Sequence, residues 1–146
     1  MIMKPKAFLR QIDDAKIVAA IKEAEQKTSG EIRVFVSHDL AEDVMAAARA
    51  VFVRLRMAKT RERNGVLMFV APRMRKFAVI GDEGVHRLCG EGFWRLLADE
   101  MSGCFKRSEF TQGITLGVRK AGELLTAHFP RRDDDQNELP DRVALD

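Results

Sequence analysis

The spacing of apolar positions along this 146-residue chain changes several times, and each change marks an element. Behind Asp13, a suitable N-cap, Ile17, Val18, Ile21 and Ala24 recur at helical spacing until Thr28-Ser29-Gly30 stops the run, which predicts a first helix. Residues 31–38 then alternate polar and apolar side chains rich in β-branched and aromatic types, the pattern of a half-buried strand. Asp39 with Glu42 three residues on resembles a capping box. It precedes a second helical stripe of Val44, Ala48, Val51, Phe52 and Leu55, ending near Met57. A polar loop over 59–65 leads into the apolar run 66–70, which reads as a central strand buried on both faces. Pro72-Arg73-Met74-Arg75 has turn character, and Phe77, Val79 and Ile80 make a third strand stopped by Gly81.

A strand, a helix and a second strand in succession form a βαβ unit, so the first two strands are expected to be parallel, with a right-handed crossover. The third returns as an antiparallel hairpin. Helical character follows around Val85–Leu88, is interrupted at Gly90 and Gly92, and resumes from Phe93 to Met101. Ser108 is placed to cap a last helix carrying Phe110, Ile114, Val118, Ala121, Leu124 and Leu125. The fold class expected is α/β: a three-layer α/β/α sandwich around a small mixed sheet. Residues 1–12 read as an N-terminal extension, 13–130 as the domain, and 131–146 as an acidic tail. With only Leu139, Val143 and Leu145 to bury, that tail is expected to be mobile or loosely docked.

Composition adds bounds. At 46% apolar and 32% charged residues, the chain has enough apolar material for a core, which excludes disorder, collagen and disulfide scaffolds. The longest uncharged apolar run, 65–72, falls far short of the roughly 18 residues of a membrane span. No apolar segment follows Lys4 and Lys6 as in a signal peptide, so a cytoplasmic location is expected. The net charge of +3 conceals an asymmetry: residues 131–146 carry three arginines and six acids, a balance of −3, which leaves +6 on 1–130. Such a surplus suits anions or an acidic partner. Cys89 and Cys104 stand alone, without a Cys-x-x-Cys, and read as reduced core residues.

The topology also predicts which loops meet. The start of the first strand, the start of the second and the end of the third share one edge of the sheet. That edge gathers Glu31, Asn64, Asp82 and Glu83, oxygen donors suited to a divalent cation, calcium or magnesium, together with Arg61 and Arg63, suited to a phosphate. Other chemistry finds less support. His38, His86 and His128 are scattered, and neither a Walker A loop nor a Gly-x-Ser-x-Gly is present. His86 and Cys89 share a helical face as a nucleophile pair would, but a buried structural cysteine is the simpler reading. Asp133, Asp135 and Asn137 open like a calcium loop, yet Glu138 stands where its glycine is required and Ala144 where its last glutamate is required. Nucleic-acid binding is not expected, because the basic turn around Arg73–Lys76 has no aromatic ladder beside it.

Four segments, in order, resemble the TPM domain family, which includes a thylakoid lumen phosphatase-like protein and photosystem II repair factors. They are Thr28 through Val34, Arg63 through Val70, Phe77 through Val85, and Phe105 through Ile114; the likeness extends over about 13–129. The tail from Asp134 to Asp141 is similar to that of a soluble bacterial branch of the family. The resemblance implies an α/β/α sandwich. It also implies a polar strand-edge cluster on Glu31, Asn64, Asp82 and Glu83, with calcium binding or acid phosphatase activity in some members. Asp82-Glu83-Gly84-Val85-His86 departs from the commoner Gly-Leu-Glu continuation. The leading expectation is a monomeric binding or accessory module with a divalent-cation site. One alternative is a metal-assisted phosphomonoesterase in which Arg61 or Arg63 holds a phosphorylated small molecule. The other is an interaction module with a protein partner, regulated by a tail that docks on a basic surface.

Overall fold

The computed structural model describes residues 5–38, 43–74, 76–131 and 139–145. In chain order it contains α1 (Pro5–Gln11), α2 (Asp14–Glu25), β1 (Glu31–Val36), α3 (Val44–Arg54), β2 (Gly65–Ala71), a 3₁₀ turn (Pro72–Met74), β3 (Lys76–Gly81), α4 (Glu83–Lys106), α5 (Phe110–His128) and β4 (Ala144–Leu145). Among the described residues the sheet has the strand order β3-β2-β1-β4. β1 and β2 run parallel from Glu31 opposite Gly65, and β3 is antiparallel to β2 with Val66 opposite Gly81, as the connectivity predicts. The fold is an α/β sandwich on this small mixed sheet.

Strand alternation sorts the core into two layers. Ile32, Val34 and Val36, with Val66, Met68 and Val70, meet α1, α2, α4 and α5 on one face. Phe35, Leu67, Phe69 and Ala71 meet α3 on the other, where the Phe35 and Phe69 rings stack with centroids 5.9 Å apart. β1 is buried along its whole length rather than on one face only. Its polar positions, Glu31 and Arg33, share the α3 face, where Leu139 and Ala144 of the tail are also buried.

Asp13 caps α2, accepting from Lys16 N–H at 3.1 Å. Asp43 caps α3; the predicted Asp39–Glu42 box lies outside the described residues. Only one break interrupts α4, at Gly90, whose φ of 69° and ψ of −179° a side chain would resist; Gly92 continues the helix. Ser108 does not cap α5. It sits at φ 59°, and Glu109 takes the N-cap position without a side-chain hydrogen bond.

Both ends of the described chain pack onto the domain. The segment ahead of residue 13 is part of the fold: Phe8 and Ile12 enter the core, and the Phe8 ring packs 5.0 Å from that of Phe110. The described part of the tail is docked, because β4 adds to β1 with Phe35 opposite Ala144 and Val36 opposite Leu145, supplying hydrogen-bond partners to an otherwise open edge. Among the described residues no helix is long and apolar enough to cross a membrane. Because Phe8 is 2% exposed, Phe8→Ala is expected to lower the unfolding free energy by about 3 kcal/mol in urea denaturation. A detachable N-terminal segment would leave it unchanged.

Candidate functional site

The end of α5 is stitched to the junction of α2 and β1. Thr28 Oγ1 donates to the Phe129 carbonyl and accepts from Gly30 N–H at 3.0 Å. Ser29 N–H donates to the same carbonyl at 2.9 Å, and Arg131 N–H to Lys27 at 3.1 Å. The Arg131 guanidinium then reaches the Glu25 carbonyl at 2.9 Å, tying the residue after Pro130 to the last turn of α2.

Three carboxylates meet at this junction. Glu25 from α2, Glu31 from β1 and Asp141 from the tail place oxygens within 4.8 Å of one another. Glu25 and Glu31 are buried, at 6% and 2% exposed. One oxygen of Glu25 accepts from Ile32 N–H at 2.9 Å, on the side of β1 away from β2. The other, Oε1, accepts no hydrogen bond among the described residues. Burial first, and then the Asp141 and Glu31 carboxylates beside it, push the Glu25 carboxyl from 4.5 up to about 11, against the opposing pull of the Ile32 N–H. Without a cation, Glu25 therefore carries a proton at neutral pH. Two residues along the same face, Arg33 is 5% exposed; its guanidinium is pulled down by burial and then by Arg142.

The loops predicted to share a sheet edge do meet, but their residues divide into two groups. Asn64 stands beside Glu31, whose N–H donates to the Asn64 carbonyl at 3.3 Å. Its side-chain amide donates to Ser29 Oγ at 3.2 Å, while its Oδ1, buried, finds no donor among the described residues. Asp82 instead receives the Arg63 fork at 2.8 and 3.0 Å and caps α4 through Glu83 N–H at 2.7 Å. Glu83 reaches outward to Arg87 at 3.0 Å. This corner is packed tightly, since a Cβ on Gly84 would collide with the Glu62 and Arg63 carbonyls. Arg63, with φ 53°, directs its donors at a carboxylate, and Arg61 is exposed.

Glu25 and Asp141 were not among the residues anticipated. Glu25 had a signal: Ile17, Ile21 and Glu25 continue one i, i+4 row, so an acid stands where the core stripe calls for an apolar side chain. Asp141, more than a hundred residues away in sequence, had none. Cys89 is not an activated nucleophile, because burial pushes its thiol up.

An open mixed-sheet α/β sandwich with an oxygen-donor cluster at one strand edge is the class of protein that this architecture defines. The sequence profile of the TPM domain matches residues 2–124, and the chain belongs to that family. The solution structure of the BA42 protein from the psychrophilic bacterium Bizionia argentinensis is similar, with 38% identity and a TM-score of 0.84 over 91% of this chain and 92% of that one. The N-terminal domain of a P. gingivalis protein shares the fold at 14% identity and a TM-score of 0.59, over 88% of this chain and 95% of that domain. No curated protein matches. Asp141 lies beyond the family match, so the third carboxylate comes from outside the profile.

The raised Glu25 carboxyl fixes a pH dependence. The folded, cation-free protein binds a proton that the unfolded chain releases above pH 4.5, so this contribution to stability is complete below 4.5 and is lost as pH rises toward 11. In a chelator, the unfolding free energy is expected to fall with pH across that window by on the order of 1 kcal/mol per pH unit at most. Glu25→Gln is expected to flatten the slope in denaturation curves at a series of pH values.

Proposed function

We propose that this TPM domain is a binding module in which a divalent cation, held by Glu25, Glu31 and Asp141, clasps the tail to the sheet. The observation that carries this reading is the convergence of three carboxylates, two of them buried, with Glu25 Oε1 lacking a donor. An all-oxygen, all-anionic donor set suits a hard cation. Calcium fits better than magnesium, which keeps its waters and demands near-octahedral geometry. The cation replaces the Glu25 proton and converts mutual repulsion into shared coordination, and Asp141 makes the tail a participant. Of the residues anticipated for this role, Glu31 is a ligand and Asn64 supports its backbone. Asp82 and Glu83 serve the neighbouring ion-pair corner, and Arg63, the phosphate ligand of a phosphomonoesterase, is committed to Asp82. The described end of the tail brings Asp141 to an acidic pair, which favours a cation-bridged tail over one attracted by charge alone.

Isothermal titration of calcium and magnesium into chelator-treated protein tests this reading. Saturable calcium binding is expected, with proton release that varies with buffer ionisation, an affinity that rises with pH, and slower proteolysis of the tail. At a hundredfold excess over Kd the gain in stability is about 3 kcal/mol. Glu31→Gln is expected to abolish binding and Asp141→Asn to weaken it about tenfold, a loss typical of one altered ligand. Absence of binding, or unaltered binding in both variants, overturns the proposal.

A further inference from the structure

At the opposite end of the sheet from the acid cluster, the end of β2, the start of β3, α1, the last turn of α4 and the first turn of α5 line a half-open cavity of about 430 Å³. Its wall is a chain of rings. Phe77 meets Phe105 edge-on at 5.0 Å, Phe105 meets Phe110 at 5.7 Å, and Phe110 meets Phe8 at 5.0 Å. Phe8 is buried, but Phe77, Phe105 and Phe110 are only partly covered, so apolar ring surface remains open toward the cavity. The charged side chains among its described lining residues are Lys76 and Lys106, both exposed, and no aspartate or glutamate is among those residues. Neither lysine forms an ion pair among the described residues, in contrast to Arg63, Arg87 and Arg107. The volume falls within the roughly 300–1,000 Å³ of small-molecule sites, and concavity with a few polar groups is their usual form.

We propose that this cavity binds a small monoanionic amphiphile, a carboxylate with a straight-chain or aryl body, whose apolar part lies along Phe77, Phe105 and Phe110 while its head group meets Lys76 and Lys106. The apolar body accounts for most of the binding by leaving water. The lysines favour an anionic head: a carboxylate gains from them a charge attraction that a neutral hydroxyl lacks, modest because both ammonium groups are exposed. The site is independent of the cation cluster, with which it shares no residue.

The test uses decanoate, below its micelle concentration, as probe and decanol as the neutral comparator, each titrated into the full chain and followed by amide chemical shifts. Saturable decanoate binding is expected, with shifts concentrated at Val70, Ala71, Phe77, Phe105 and Phe110. The comparator is expected to bind several-fold more weakly. Lys76→Glu with Lys106→Glu is expected to weaken decanoate about tenfold, and the neutral pair Lys76→Gln with Lys106→Gln less, with decanol little changed. Both lysines are exposed, so the unfolding midpoints of the variants are expected to match the parent. Failure of decanoate to saturate, equal affinity for decanol, shifts centred elsewhere, or unchanged decanoate binding in the charge-reversed pair overturns the proposal.

Discussion

Two carboxylates inside the protein, those of Glu25 and Glu31, set the terms for everything around the first strand. An ionised carboxylate removed from water costs several kcal/mol unless hydrogen bonds, a proton or a cation compensates it. Glu25 uses the first remedy through Ile32 N–H and, without a metal, the second through its raised carboxyl. Neither extends readily to a third acid. Asp141 nonetheless lies in the same cluster, and the segment that carries it ends in β4. Whether the tail lies on the sheet is thus tied to how the acid cluster is neutralised.

The two edges of β1 make the dependence concrete. Toward β2, every residue from Glu31 to Val36 has a partner. On the other side, among the described residues, β4 partners Phe35 and Val36, and the Ile32 N–H is taken by the Glu25 side chain in place of a strand. An uncovered edge invites pairing with other chains. The Glu25 side chain at one end and the two-residue β4 at the other cover part of this one. Arg63 and Asp82 serve a different purpose: their bidentate pair ties the loop ahead of β2 to the start of α4.

The order of elements was legible because periodicity and turn residues are local properties. Asp13, the apolar run through β2 and the hairpin into β3 all stand where the pattern puts them. What was not legible depended on distant contacts. The alternation in β1 suggested one wet face, but Glu31 and Arg33 are buried with Asp141 and Arg142 of the tail beside them, and no local signal reports neighbours that arrive a hundred residues later. Phe8 likewise looked like part of an appendage until Phe110 gave it a partner. Of the candidate carboxylate cluster, topology singled out Glu31, and Glu25 was readable from its place in the Ile17–Ile21 row, whereas Asp141 had no local signal. Asp82 was a strong candidate by type and position, yet the guanidinium that engages it followed from a loop with φ 53° at Arg63.

Charge is separated along the strands, and the separation has a physical consequence. The acid cluster lies at the start of β1, whereas the phenylalanine cavity with Lys76 and Lys106 lies where β2 ends and β3 begins. The seven residues of β2 between these ends span about 20 Å at strand rise, a separation at which two unit charges interact by less than about 1 kcal/mol at an effective dielectric of about 20. Negative charge at one end therefore exerts little repulsion on an anion at the other. A cation and an amphiphilic anion can occupy the two ends together without electrostatic conflict. Any coupling between them must be mechanical, passing through the β1–β2 pair that both ends share.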